Sequence, residues 1–335
     1  MQAAFYGLAG EHLSDNERAF FRDADPVGYI LFRRNCENPA QLRALTDALR
    51  TIHGRADLPI LIDQEGGRVA RMRPPHWPAF PAAATFAELY TRAPMTAIEA
   101  ARANAQGIAV MLREAGINVN ALPLLDVRQE GSHDIIGDRA LGGEPMQVAA
   151  LGRAVLDGLA AGGVVGIVKH MPGHGRSAVD SHKELPVVRA SEEELETDIA
   201  PFRTLAGAPM GMTSHVVYPA WDAERCASLS PTVIGEIIRG RIGFDGFLMS
   251  DDIGMHALSG SFRERVSATL EAGCDAALHC SGDMAEMVSA AEGARPLTDA
   301  AQARLKRAMA IAAAAPDGVS CEELAARRDR LIAAA

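Results

Sequence analysis

Short apolar runs, separated by longer helical stretches, recur along the whole chain. They span Ala3 to Leu8, Val27 to Phe32, Pro59 to Ile62, Ile117 to Val119, Val164 to Val168, Pro209 to Thr213, Gly246 to Met249 and Asp275 to Leu278. Strands buried on both faces read as continuous apolar runs, and parallel strands need a helical crossover between each pair. About eight runs alternating with helices therefore predict an α/β fold, a single (β/α)8 barrel of the TIM type.

The helical stretches carry readable ends. Ser14 to Glu17 and Ser191 to Glu194 have the S-x-x-E spacing of a capping box. Asn38 before Pro39 and Ser230 before Pro231 put a capping side chain ahead of a proline at the first helical position, where the missing N–H costs nothing. Gly54 and Gly240 stand where helix stops are expected. After the eighth run come helices near Met284 to Glu292 and Asp299 to Ala314, then a third opened by the Ser320 to Glu323 box. No Gly/Ser/Pro-rich linker interrupts the chain, so residues 1–335 are expected to form one catalytic domain, the last helices closing the barrel.

Composition narrows the class of partner. The chain is 48% hydrophobic and 23% charged, as globular domains are, with a net charge of -10 and no Lys/Arg cluster. Nucleic acid and anionic membranes reward concentrated positive charge, so a small molecule is the expected partner, bound by a monomer. The N-terminal apolar stretch lacks a preceding basic residue, and no apolar run is long enough to span a membrane. The five cysteines are scattered, without Cys-x-x-Cys spacing, which fits free thiols in a reducing compartment and a cytoplasmic location.

Polar residues follow the predicted strands: Asp63 after PILI, Lys169 and His170 after VVGIV, His215 after GMTS, Asp251 after GFLMS. The C-terminal ends of parallel barrel strands share one face, and that face carries the active site. The segment from Lys169 to Arg176 holds Pro172, Gly173 and Gly175, which exclude a regular helix and predict a long loop over the barrel mouth, suited to a lid. Further along it, His182 lies two residues after Asp180, a spacing that lets the carboxylate orient the imidazole as a general acid/base. In Ser250-Asp251-Asp252 the first carboxylate is expected to face the barrel mouth and the second to turn away into a capping or supporting hydrogen bond. The segment Asp63 to Arg71 adds a carboxylate, a Gly-Gly turn and two arginines, Arg68 and Arg71, and Arg139 adds a third. His170 and His174 have the helical spacing of zinc ligands, but a non-helical loop removes the geometry that gives that spacing meaning, and neither metal nor cofactor is expected.

The assembled motifs resemble the family-3 glycoside hydrolases, in particular the bacterial β-N-acetylglucosaminidases that recycle cell-wall fragments. The likeness runs nearly the whole length, through ILFRRN (30–35), LIDQEGGRVAR (61–71), IIGDR (135–139), KHMPGHGRSAVDSHKELPVV (169–188), MTSHVVYPAWD (212–222), ASLSP (227–231) and LMSDDIGM (248–255). It implies Asp251 as nucleophile, His182 as acid/base with Asp180 as its partner, and Asp63, Arg71, Arg139, Lys169 and His170 around an N-acetylglucosamine ring. The implied substrate is N-acetylglucosamine β-1,4-linked to 1,6-anhydro-N-acetylmuramic acid, with or without a peptide. Met171, Arg176-Ser177-Ala178 and Ile253-Gly254 depart from the family pattern in the lid and after the aspartate pair.

The resemblance implies a retaining reaction through a covalent glycosyl-aspartate. A histidine acid/base is neutral when it acts as base, so an anionic acceptor is repelled less, and phosphorolysis stands as a variant. A metal-dependent barrel hydrolase is the more remote alternative; it needs a His-x-His after its first strand, which this chain lacks. A non-catalytic sugar-binding barrel would have no use for both His182 and Asp251.

Overall fold

A computed structural model of the chain describes residues 1–129, 131, 133–177, 179, 185–314 and 318–335. Eight parallel strands close into a barrel: β1 (Gln2–Gly7), β2 (Pro26–Leu31), β3 (Ile60–Ile62), β4 (Val119–Asn120), β5 (Val165–Met171), β6 (Met210–Thr213), β7 (Phe247–Asp252) and β8 (Ala276–His279). Each pairs with the next in chain order, and β8 closes on β1 with Phe5 opposite Leu278. Every residue of β2 through β6 is buried. Inward side chains fill the barrel while outward ones meet the helices, so an apolar residue is favoured at each position and no alternation develops. Each apolar run of the sequence overlaps one of these strands, the run Ile117 to Val119 at Val119 alone.

The crossovers are α1 (Asp15–Ala24), α2 (Pro39–His53), the pair α3 (Ala83–Arg92) and α4 (Pro94–Glu114), α5 (Pro145–Ala161), α6 (Glu192–Thr204), a helical stretch Val233–Arg241, and α7 (Phe262–Ala272). Both S-x-x-E boxes form reciprocally, at Ser14 with Glu17 and at Ser191 with Glu194. Asn38 accepts from the Gln41 amide at 3.0 Å and Ser230 from that of Val233 at 3.1 Å. Gly54 closes α2 with φ +62°, but Gly240 is no stop. Val233–Arg241 is wound wide, with the Ile242 amide donating to the Ile237 carbonyl, which carries the stretch past Gly240; the left-handed residue is Gly243, at φ +77°.

Three more helices follow the barrel: α8 (Met284–Gly293), α9 (Asp299–Ala313) and α10 (Cys321–Ala333). α9 packs against β5 and β7, and α10 against α4. At the N-terminal ends of β7 and β8, Asp275 accepts from Arg239 and Arg304, both at 3.0 Å, while Arg304 and Arg307 reach Asp245 at 3.1 and 2.8 Å. These pairs fasten α9 to the face of the barrel away from the site. A small antiparallel hairpin, Val217–Tyr218 with Asp222–Cys226, follows β6. Its second strand is largely exposed and charged, so it leaves no apolar run to read. Among the described residues no helix is long and apolar enough to cross a membrane.

Candidate active site

The C-terminal ends of the strands surround a cavity of about 360 Å³, within the usual range of small-molecule sites. Asp63 leaves β3 directly, Lys169 and His170 lie within β5, and Asp251 and Asp252 end β7; all five border the cavity, with Arg71, Arg139 and Glu65 beside them. Asp63, Arg71, Arg139, Lys169, His170 and Asp251, expected from the sequence, thus meet around one space. Asp180 and His182 lie outside the described residues.

The charged wall is one continuous network. Arg71 donates to Asp63 at 3.1 Å, Lys169 bridges Asp63 and Glu65 at 3.0 and 2.7 Å, and Arg139 grips Glu65 with two bonds of 2.8 Å. Lys169 is 2% exposed and Glu65 5%. Burial by itself would raise the two carboxyls, yet Lys169 with Arg71 holds Asp63 well below the usual carboxylate range, and Lys169 with Arg139 brings Glu65 to about 2. Burial likewise works against the charge of Lys169, and Glu65 and Asp63 outweigh it, raising the ammonium. Asp63, Glu65 and Lys169 therefore stay ionised at neutral pH, and the network offers fixed donors and acceptors to a polyhydroxylated ligand. Arg71 also lies over the Phe32 ring at 5.0 Å, which fixes its plane.

Arg68 and Arg71, both candidates in the sequence, part company here. Arg68 pairs with Asp138 at 2.7 Å and donates to the carbonyls of Asp134, Ile135 and Ile136, tying the segment that carries Arg139 to the turn after β3. His215, read from the sequence as a fifth polar residue at a strand end, is buried behind β7: its Nε2 donates to the Asp252 carbonyl at 2.9 Å and its Nδ1 meets Ser228 at 2.8 Å. It supports the backbone of the aspartate pair and does not border the cavity.

Asp251 accepts the Asp252 amide at 2.8 Å. Asp252 borders the cavity too, contrary to the expectation that it turns away, but its Oδ1 is occupied by the amides of Gly254 at 2.9 Å and Cys280 at 3.1 Å. Burial pushes its carboxyl up. The loop expected from Lys169 onward also begins later than the sequence suggests. β5 runs through Met171, and the turn beyond it is buried, with Gly175 so close to the Val127 carbonyl that a Cβ would sit 1.9 Å from the oxygen. Only glycine fits there, so residues 173–177 form a fixed shoulder of the barrel.

Two residues were missed by sequence reasoning. Glu65 stands two places after Asp63, the spacing that puts side chains on one side of an extended segment, and that was its signal. Asp126 is wholly buried in the segment after β4, accepting His170 Nδ1 at 2.8 Å and the amides of His170 and His174 at 3.2 and 2.7 Å. Burial would raise its carboxyl, but His170 and the His174 amide hold it at about 2. His174 itself is brought down to about 4 by burial, so its ring is neutral at pH 7.

The depressed carboxyls set an acid limit on stability. Between about pH 4.5 and about 2 the unfolded chain binds protons at Asp63, Glu65 and Asp126 that the folded chain refuses, so stability is complete above that window and lost as pH falls through it. The urea midpoint is expected to drop steadily from pH 4.5 to 2.5, and less steeply for Glu65→Gln. A midpoint flat across that range would contradict the network.

Several known proteins are similar. The model for the glycosyl hydrolase family 3 N terminal domain matches residues 8–309. A β-hexosaminidase of Bordetella avium is 38% identical over 320 residues, covering 92% of this chain and 88% of the relative. One from Alkalilimnicola ehrlichii is 41% identical over 279 residues, 82% of this chain and 79% of its own. NagZ from Neisseria gonorrhoeae, solved in complex with N-trifluoroacetyl-D-glucosamine, superposes with a TM-score of 0.86 at 30% identity, covering 99% of this chain and 97% of the neighbour. A family 3 β-N-acetylglucosaminidase from Paenibacillus sp. str. FPU-7 gives 0.85 at 31% identity, over 98% of this chain and 66% of that one.

Proposed function

Since the chain belongs to glycosyl hydrolase family 3 and is a glycoside hydrolase acting on N-acetylhexosamine, we propose that it is a retaining exo-β-N-acetylglucosaminidase that removes non-reducing N-acetylglucosamine from 1,6-anhydro-muropeptides in cell-wall recycling. The observation that carries this reading is the meeting of Asp251 with the Arg71–Asp63–Lys169–Glu65–Arg139 network at one cavity. A carboxylate suited to attack stands beside a wall suited to hold sugar hydroxyls.

In this reaction Asp251 attacks the anomeric carbon while His182, as imidazolium and partnered by Asp180, protonates the departing oxygen. The C–O bond to the leaving group breaks as the ester to Asp251 forms. Water then enters with neutral His182 as its base, and the sugar leaves with its original configuration. Asp63, Arg71, Arg139, Lys169 and His170 hold the ring. No cofactor enters. All five cysteines are free, which fits a cytoplasmic enzyme, and one copy of the chain supplies every residue named.

Incubation of the wild type with 4-nitrophenyl β-N-acetylglucosaminide, with and without phosphate, tests the reading. Release of free N-acetylglucosamine in both is expected. N-acetylglucosamine 1-phosphate appearing only with phosphate would make the enzyme a phosphorylase, and absence of turnover by the folded protein would withdraw the proposed substrate. With anhydro-muropeptide as substrate, release of N-acetylglucosamine from its non-reducing end is the corresponding result.

A further inference from the structure

Asp126 sits where a carboxylate has no evident need to be: fully buried in the segment after β4, remote in sequence from every proposed catalytic group. Its two oxygens do different work. Oδ1 accepts the amides of His170 and His174, pinning both ends of the turn that follows β5, and Oδ2 lies 2.8 Å from His170 Nδ1. An ionised carboxylate only accepts, so Nδ1 must carry the hydrogen. His170 Nε2, on the other edge of the ring, makes no hydrogen bond among the described residues, and the ring borders the cavity.

The cavity wall around His170 is crowded with donors. Arg71, Lys169 and Arg139 can only donate, and the oxygens of Asp63 and Glu65 already accept from those cations, which leaves them fewer lone pairs for a ligand. A sugar hydroxyl that accepts from one of the cations must still send its own hydrogen to an acceptor. In the neutral Nδ1–H ring, His170 Nε2 adds an uncharged acceptor to this wall beside the carboxylates.

We propose that Asp126 is a positioning residue that fixes His170 as the Nδ1–H tautomer, so that Nε2 faces the cavity as a hydrogen-bond acceptor for a substrate hydroxyl. The substrate part of this inference rests on the glycosidase reading above; the tautomer part does not. The same carboxylate anchors the turn of residues 170–174 through Oδ1, so the ring and the backbone that carries it are set by one group.

Asp126→Asn separates the two duties. The amide oxygen still accepts both backbone N–H groups, while the NH2 replaces Oδ2 and donates to Nδ1, forcing the hydrogen onto Nε2. Nitrogen-15 NMR of the histidine rings, assigned with His170→Gln, is expected to show His170 as Nδ1–H in the wild type and Nε2–H in Asp126→Asn, with a melting temperature lowered by loss of the buried carboxylate but unfolding still cooperative. On 4-nitrophenyl β-N-acetylglucosaminide the variant is expected to lose about 10-fold or more in kcat/KM, chiefly through KM, the effect of turning an acceptor into a donor against a bound hydroxyl. A wild-type His170 that is Nε2–H or doubly protonated at the assay pH would overturn the proposal. So would a variant with the tautomer switched and kcat/KM unchanged, or activity and melting temperature lost together with the tautomer intact, which would make Asp126 merely structural. If the wild type fails to cleave the glycoside while the NMR result holds, the substrate reading fails and the tautomer assignment stands.

Discussion

Asp251→Ala is expected to release 4-nitrophenol from 4-nitrophenyl β-N-acetylglucosaminide at least about 10⁴-fold more slowly than the wild type, the scale on which loss of a nucleophile acts. His182→Ala is expected to cost about 10²- to 10⁴-fold, and less with good leaving groups than with poor ones, because an activated phenol needs little help from a general acid. A fluorinated substrate that slows the second step is expected to leave a sugar on Asp251, seen as a mass increase on the peptide that contains it. Repeated failure to trap that ester while turnover continues would favour attack by the substrate's own 2-acetamido oxygen and reduce Asp251 to an electrostatic role. An Asp251→Ala enzyme of near-normal activity would remove it from the chemistry altogether.

Lys169→Met is expected to be costly in a different currency. Among the described residues the ammonium alone touches both Asp63 and Glu65, and it is almost completely enclosed. Its removal leaves two buried carboxylates sharing a site with one arginine each, and breaking a buried ion pair by deleting one partner costs about 3–5 kcal/mol. The measurement is the urea midpoint, with an unchanged slope showing that the variant unfolds from a native-like state. Activity is expected to fall as well, since Asp63 and Glu65 would repel each other and displace Arg71 and Arg139. If the midpoint stays at the wild-type value, the network is not the tightly balanced cluster its burial and distances describe.

The barrel was legible because its strands obey a simple rule: buried on both faces, each carries a continuous apolar run, and the polar residues gather at its C-terminal end. β4 tested the rule most severely, since it spans only Val119–Asn120, yet the run Ile117 to Val119 still marked it. The hairpin after β6 was not legible, because Asp222–Cys226 is mostly charged and exposed and its pairing depends on a partner strand of two residues. Gly240 misled for a related reason: sequence spacing assumes ordinary helical winding, and Val233–Arg241 does not have it.

The candidate site divides in the same way. Residues that directly follow or end a strand, such as Asp63, Lys169, His170 and Asp251, could be picked out because the topology gathers strand ends. Apart from the family resemblance, Arg139 was visible only as a charge in a loop, and its place beside Glu65 came from the structure. Asp126 is six residues beyond a two-residue strand, with no pattern to mark it, and its partners lie on β5 and just past it. His215 had the right position and the wrong surroundings: burial behind β7 turned a polar strand end into a backbone support.

The joining of β8 to β1 has a consequence for how the chain is made. β1 occupies residues 2–7, and the partner that covers its outer edge begins at Ala276. At about 5–20 residues per second, a ribosome needs roughly 13–54 s to travel between them. For that interval the nascent chain carries an apolar strand whose free side has nothing to bind, an invitation to pair with another chain. Growth at low temperature or crowding of translating ribosomes should therefore reduce soluble yield more for this protein than for one in which each strand pairs only with near neighbours in the chain.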